Sequence, residues 1–112
     1  MAISEYSTGT FSPGATSTTW TDLDADNADD GVYQVFFDAA ALAAGDVVEV
    51  RIEERALSSG TDRVAWIASA SNALSEPMIV SPSFILLHNW TLGARQTAGT
   101  VRSFPWSIRR VS

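Results

Sequence analysis

The 112-residue chain has no cysteine, no lysine, a single histidine and no long apolar run. Each absence closes a class of function. Without cysteine there is neither a disulfide framework nor a thiolate metal site. A domain of this length buries roughly two-thirds of its unfolded surface, so a core forms without such staples. No apolar stretch approaches the roughly 20 residues of a membrane-spanning helix. The first residues lack the basic-then-apolar order of a signal peptide. The expectation is one soluble domain, made in a cytoplasm, with no membrane partner. No glycine-rich loop precedes a helical pattern, so phosphate cradles are missing as well.

Helix is scarce too. Residues 39–44 allow one helical turn, closed off by Asp38 and Gly45, which is too short for a full helix. What the chain does have is strands. Residues 31–57 hold two of them around that small-residue bridge, and they read as the centre of the fold. In 32–37 both faces are largely apolar (Val32, Gln34 and Phe36 against Tyr33, Val35 and Phe37), which predicts a central strand buried on at least one side. Residues 47–56 alternate: Val48, Val50, Ile52 and Ala56 on one face, Glu49, Arg51, Glu53 and Arg55 on the other. That period of two predicts a strand with one wet face.

Residues 58–62, Ser-Ser-Gly-Thr-Asp, predict a hairpin turn. Residues 63–70 return as a strand with Val64, Trp66 and Ala68 inward. The apolar runs 78–80 and 84–87 are interrupted by Ser81-Pro82-Ser83, which assigns Pro82 to an edge, a bulge or a strand start. Residues 88–95 continue extended, with Trp90 and Leu92 in phase and Gly93 as a bulge candidate. In the last run, 101–111, Pro105 signals an edge or bend. Seven to eight short strands at about 8–12-residue spacing predict an all-β antiparallel sandwich or jelly roll. Residues 20–112 form that domain, preceded by 1–19, a Ser/Thr/Gly-rich stretch whose only large apolar anchors are Tyr6 and Phe11. It reads as an extended N-terminal arm or a loosely attached first strand.

Charge is unevenly placed. Residues 1–50 carry nine acids and no base; residues 51–112 carry seven arginines against four acids, giving −6 overall. Such asymmetry suits docking on a complementary protein surface. Nucleic acid is excluded as a partner, because seven scattered arginines on an acidic chain make no dense basic patch.

The search for reactive groups finds little. Asp22, Asp24 and Asp26 match the first three ligand positions of a calcium loop. The match then fails, with Asn27 where the turn glycine belongs and Tyr33 where the bidentate glutamate belongs. The residues from Asp22 to Asp30 read as a solvated Asx-rich turn. His88, placed in a predicted strand, would need a serine and an acid within reach for triad chemistry. No Gly-x-Ser-x-Gly elbow accompanies it. Glu53 and Glu54 point to opposite faces of one strand and cannot share a substrate. No catalytic residue, cofactor or metal is expected. Of four tryptophans, Trp66 and Trp90 fall in phase with apolar neighbours, and Trp20 and Trp106 remain open to an interface or ligand.

Four stretches resemble a known family: Gly31-Val32-Tyr33; Leu42-Ala43-Ala44-Gly45-Asp46-Val47-Val48-Glu49-Val50-Arg51-Ile52; Gly60-Thr61-Asp62-Arg63-Val64-Ala65; and Gln96-Thr97-Ala98-Gly99-Thr100-Val101-Arg102-Ser103-Phe104-Pro105-Trp106. They are similar to the small head decoration, or cement, proteins of tailed bacteriophages. The resemblance spans about residues 31–111 and rests on turn glycines and core apolars. It implies a jelly-roll virion structural protein on the outer surface of the capsid, clamping junctions between major capsid proteins. A homodimer is expected, with a trimer as the next choice. The expected capsid contacts are Tyr6, Phe11, the Trp20 region, Arg109 and Arg110. The competing expectation is a carbohydrate- or receptor-binding module of a phage tail or neck, using Trp20 and Trp106 as exposed rings.

Overall fold

The structure, a computed structural model, describes residues 2–111. Nine strands follow in order: β1 (Ile3–Phe11), β2 (Thr21–Asn27), β3 (Gly31–Asp38), β4 (Val47–Glu54), β5 (Arg63–Ser71), β6 (Met78–Val80), β7 (Phe84–Leu86), β8 (Trp90–Ala98) and β9 (Phe104–Val111). All pairing is antiparallel. One sheet runs β1-β9-β3-β6, with β7 also on β3; the other runs β2-β8-β4-β5. If β6 and β7 are taken as one interrupted strand, the chain pairs first with last, second with next-to-last, and so inward. That is a long hairpin rolled into a sandwich, the jelly-roll order.

The core is where the alternation put it. Tyr33, Val35 and Phe37 of β3 with Phe104 and Ile108 of β9 line the inner face of one sheet, and Val48, Val50 and Ile52 of β4 with Trp90 and Leu92 of β8 line that of the other, all buried. Phe104 stacks on Phe11 and on Phe37, with centroids 6.1 and 5.5 Å apart. A second aromatic group closes one end, where Trp90 lies 4.6 Å from Tyr33 and 5.7 Å from Tyr6. Burying each such side chain contributes about 1.5–3 kcal/mol.

The structure revises several expectations. Most of the predicted arm is a built-in strand: β1 pairs with β9 from Ile3↔Val111 to Phe11↔Phe104. Its register shifts at Tyr6, a bulge that turns this ring toward the core. The Asp-rich segment forms the body of β2 and not only a turn, because β8 supplies a ladder that outweighs the poor strand propensity of aspartate. The small-residue bridge makes two tight turns, Leu42 N–H to Ala39 C=O and Asp46 N–H to Ala43 C=O, and no helix. Val64 is exposed: pairing shifts from Ile52↔Trp66 to Glu53↔Val64, so Ala65 is an extra residue and the inward set becomes Trp66, Ala68 and Ala70. Pro105 does not make β9 an edge strand. It lies opposite Thr10 of β1 at a level where the pairing of β9 with β3 has already ended, at Trp106↔Phe37.

Pro82 does mark an edge, between β6 and β7. The broken ladder there is repaired by one side chain. Buried Ser81 takes the Val35 N–H on its Oγ at 2.8 Å, and its own N–H donates to Val35 C=O at 2.9 Å. The backbone polar groups of Val35 thus keep partners although the edge strand is split.

Candidate docking surface

The two outer faces of the sandwich differ in chemistry. On the β2-β8-β4-β5 side, charged residues of β4 and β8 satisfy one another. Arg95 pairs with Glu49 at 2.8 Å and Arg51 with Glu53 at 3.1 Å. Both guanidiniums lie against the Trp20 ring, that of Arg51 4.1 Å and that of Arg95 4.4 Å from its centroid, and Arg95 also donates to Thr18 C=O at 2.6 Å. Gly93 lets the β2 backbone come close beneath this ring, since a Cβ there would lie 3.3 Å from Thr21 O.

The β1-β9-β3-β6/β7 side is the opposite. Register places Ile3 and Val111 beside Val32, Ile85 beside Val32, Val80 beside Phe36 and Met78 beside Asp38, all on the outward surface. Ile85 is 87% exposed and Ile3 68%. One cation crosses this apolar face: Arg109 lies over the Phe36 ring at 3.6 Å. Among the described residues Arg109 has no ion-pair partner, whereas Arg51, Arg55, Arg95 and Arg102 each have one. Two shallow hollows, of about 450 and 140 Å³, adjoin there and share Phe36 and Arg109 in their walls. Glu5 of β1 stands directly opposite Arg109 in the register, and Gln34, Asp38 and Ser107 interrupt the apolar residues; an exposed apolar cluster with polar groups about it is a candidate surface for binding another macromolecule.

The five residues expected to face a partner are not brought together. Phe11 is 3% exposed, a core residue and therefore no surface contact. The Tyr6 ring turns inward, and its hydroxyl donates to Asp29 Oδ2 at 2.7 Å and toward Asn27 Oδ1 at 3.3 Å. Trp20 is engaged on the other sheet. Arg110 spans the end of the sandwich, over Tyr6 and Tyr33 at 5.8 and 5.7 Å, and donates to Asp30 C=O at 2.8 Å. Its Nε is buried without a hydrogen-bond partner. Arg109 alone stands on the apolar face.

Both tyrosines at this end hold their protons tightly. Burial pushes the Tyr6 phenol well above its ordinary range, helped by its hydrogen bond to Asp29. Burial also raises Tyr33, against a lowering pull from Arg110. Tyr33 Oη and Trp90 Nε1 both donate to Asp29 C=O, at 2.8 and 3.3 Å, so this one turn residue ties β1, β3 and β8 together.

His88 lies in the bend between β7 and β8 and not in a strand, its N–H donating to Glu54 Oε1 at 2.6 Å. Among the described residues no serine or acid side chain bonds its ring, and no three acid or imidazole groups cluster as metal ligands. Asp22, Asp24 and Asp26 are strung along β2 instead of wrapping a centre. Sequence reasoning missed Ile3, Val32, Met78, Val80 and Ile85. The available signal was the second apolar face of 32–37, which looked equally like core. No protein family matches this chain, nor does any curated protein or solved structure.

Proposed function

We propose that this chain is a virion structural protein: a decoration, or cement, protein that binds the exterior of a tailed-phage head and stabilises junctions between major capsid proteins. The observation that supports it most is the exposed apolar face of β1-β9-β3-β6/β7 with Arg109 lying across Phe36. A protein whose task is attachment needs a rigid body and one sticky face, and no reactive centre. Binding only the assembled shell then stabilises that shell by mass action, RT ln(1 + [L]/Kd) per site. Many copies share the load, so each contact need only be of modest strength. The likeness of residues 31–111 to the cement proteins is the ground for naming the capsid as partner, and the exposed face is the proposed means of attachment.

The tail- or neck-module alternative needs aromatic rings open to a sugar or receptor. Trp20 is engaged by two guanidiniums, and Trp106 is 8% exposed beneath Gly9. These positions favour attachment by the sheet face.

The test is cryo-electron microscopy of the particle that encodes the chain. The expected result is density on the shell exterior at subunit junctions, with the β1-β9-β3 face toward the shell. Density confined to the tail, or glycan binding without capsid binding, would contradict the proposal.

A further inference from the structure

We propose that the free edge of β5 pairs with β5 of a second copy, joining two β2-β8-β4-β5 sheets into one continuous sheet across a two-fold axis. An exposed sheet edge invites pairing, and proteins blunt the edges they keep free. Three of the four edges here are blunted. β1 carries Glu5 and a bulge at Tyr6. β2 carries three aspartates, two register breaks and Asp26 in the left-handed region at φ 56°. β6 and β7 are three residues each, parted by Pro82. β5 is nine residues long and has no proline; its one charge, Arg63, and its one bulge, at Ala65, both fall within its first three residues. From Trp66 to Ser71 it runs in regular register with Val47–Ile52 of β4.

The sequence of this edge fits a copy of itself. Antiparallel pairing centred on Ile67 sets Trp66 opposite Ala68, both on the inner face, and ends at Ala65 and Ser69, because the bulge at Ala65 turns Val64 to the outer face while Ala70 stays inward. No like charges meet, and the one bulky ring is matched to a methyl group, the kind of cross-strand pairing that stabilises a sheet. At the axis Ile67, 49% exposed on the outer face, meets its own copy. Trp66, already against Phe84 at 5.9 Å and only partly covered, gains a second neighbour in the Ala68 of the copy. Such an isologous interface closes on itself and stops at two chains. It gives the expected homodimer an address and leaves the apolar face of the other sheet free. It does not rest on the capsid reading.

The absence of cysteine makes a clean experiment. Directly opposite residues in an antiparallel pair have Cα atoms about 4.5–5.5 Å apart, within disulfide span. The wild-type chain should sediment at twice its 12.0 kDa. Ile67→Cys should oxidise to a covalent dimer, whereas Ile85→Cys, on the other sheet, should not. Ile67→Lys, which sets two ammonium groups at the axis, should lose the dimer and melt at the temperature that the wild-type chain shows when diluted to monomer. A wild-type monomer at high micromolar concentration, a dimer indifferent to Ile67→Lys, or equal cross-linking through Ile85→Cys would overturn the inference. Head binding by Ile67→Lys is scored separately, so failure of the dimer and failure of capsid docking are distinguishable.

Discussion

Asp46 Oδ2 accepts a hydrogen bond from Arg102 Nε at 2.9 Å, binding the β3–β4 connection to the β8–β9 connection. The carboxylate is 1% exposed and also accepts the N–H groups of Ala43 and Thr100, each at 2.9 Å. Gln96 completes the cluster, donating to Thr100 C=O at 2.7 Å and accepting from Arg102 N–H at 3.1 Å. A buried charge with this many donors locks two loops that would otherwise be free to move.

The first prediction concerns pH. Hydrogen bonding from Ala43 N–H, opposed by burial and reinforced by Arg102 and Thr100, holds the Asp46 carboxyl below its ordinary value. A group whose folded pKa is depressed contributes stability that is present above its unfolded pKa, about 4, and lost as pH falls through the folded value. Asp46→Asn should therefore melt well below wild type between neutral pH and about 5, and the gap should shrink as pH drops below about 4. Paired thermal melts across that range measure it. A gap independent of pH would show that the charge does not matter.

Gly99 predicts a strong local effect. Its φ is +87°, and a Cβ there would collide with Asp46 Oδ1. Gly99→Ala should destabilise by at least about 1–2 kcal/mol from the left-handed backbone alone, read by denaturant titration. Gly14, with open space around its Cβ position, should tolerate alanine within about 0.5 kcal/mol.

The tyrosines predict an alkaline signature. Only two are present, Tyr6 and Tyr33, and both phenols are raised, in each case chiefly by burial. The stability linked to them is present below the unfolded pKa of about 10 and is lost as pH rises toward the folded values. Phenolate absorbance should stay absent as pH passes 10 and then appear together with unfolding. Smooth titration of either ring near pH 10 in the folded protein would contradict this. Tyr6→Phe should also speed amide exchange in β1 relative to β4, because the Asp29 bond fastens that strand at a cost of about 1 kcal/mol when lost.

Adjacent residues of β3 should separate stability from attachment. Phe37 is fully buried and stacks on Phe104; Phe37→Ala should cost about 3–5 kcal/mol. Phe36 faces outward beneath Arg109. Phe36→Asp should change stability by no more than about 1 kcal/mol while weakening capsid binding by about 2 kcal/mol or more, roughly thirtyfold.

These neighbours also show how much the sequence discloses. β4 and the inward face of β3 were legible, because period-two burial is written directly in Val48, Val50 and Ile52 and in Tyr33, Val35 and Phe37. β1 was only half legible. It owns few core side chains, and its place comes from the β9 ladder and the Tyr6–Asp29 bond, both remote in sequence. β2 hid behind its aspartates, which alone favour turns. The docking face was illegible for a geometric reason. It is assembled from five strands, two of them three residues long, and no local period reports that Ile85 and Ile3 share a surface.

The central claim is that this face holds the protein on a shell, and Ile85 tests it most directly, its side chain being 87% exposed on the outer face. The measurement is co-sedimentation of purified wild-type protein and Ile85→Asp with undecorated mature heads of the tailed phage proposed as the source of the chain. Saturable wild-type binding is predicted, with binding by Ile85→Asp weakened at least about thirtyfold at an unchanged melting temperature. Equal binding by both proteins, or no binding by wild type, would contradict the account.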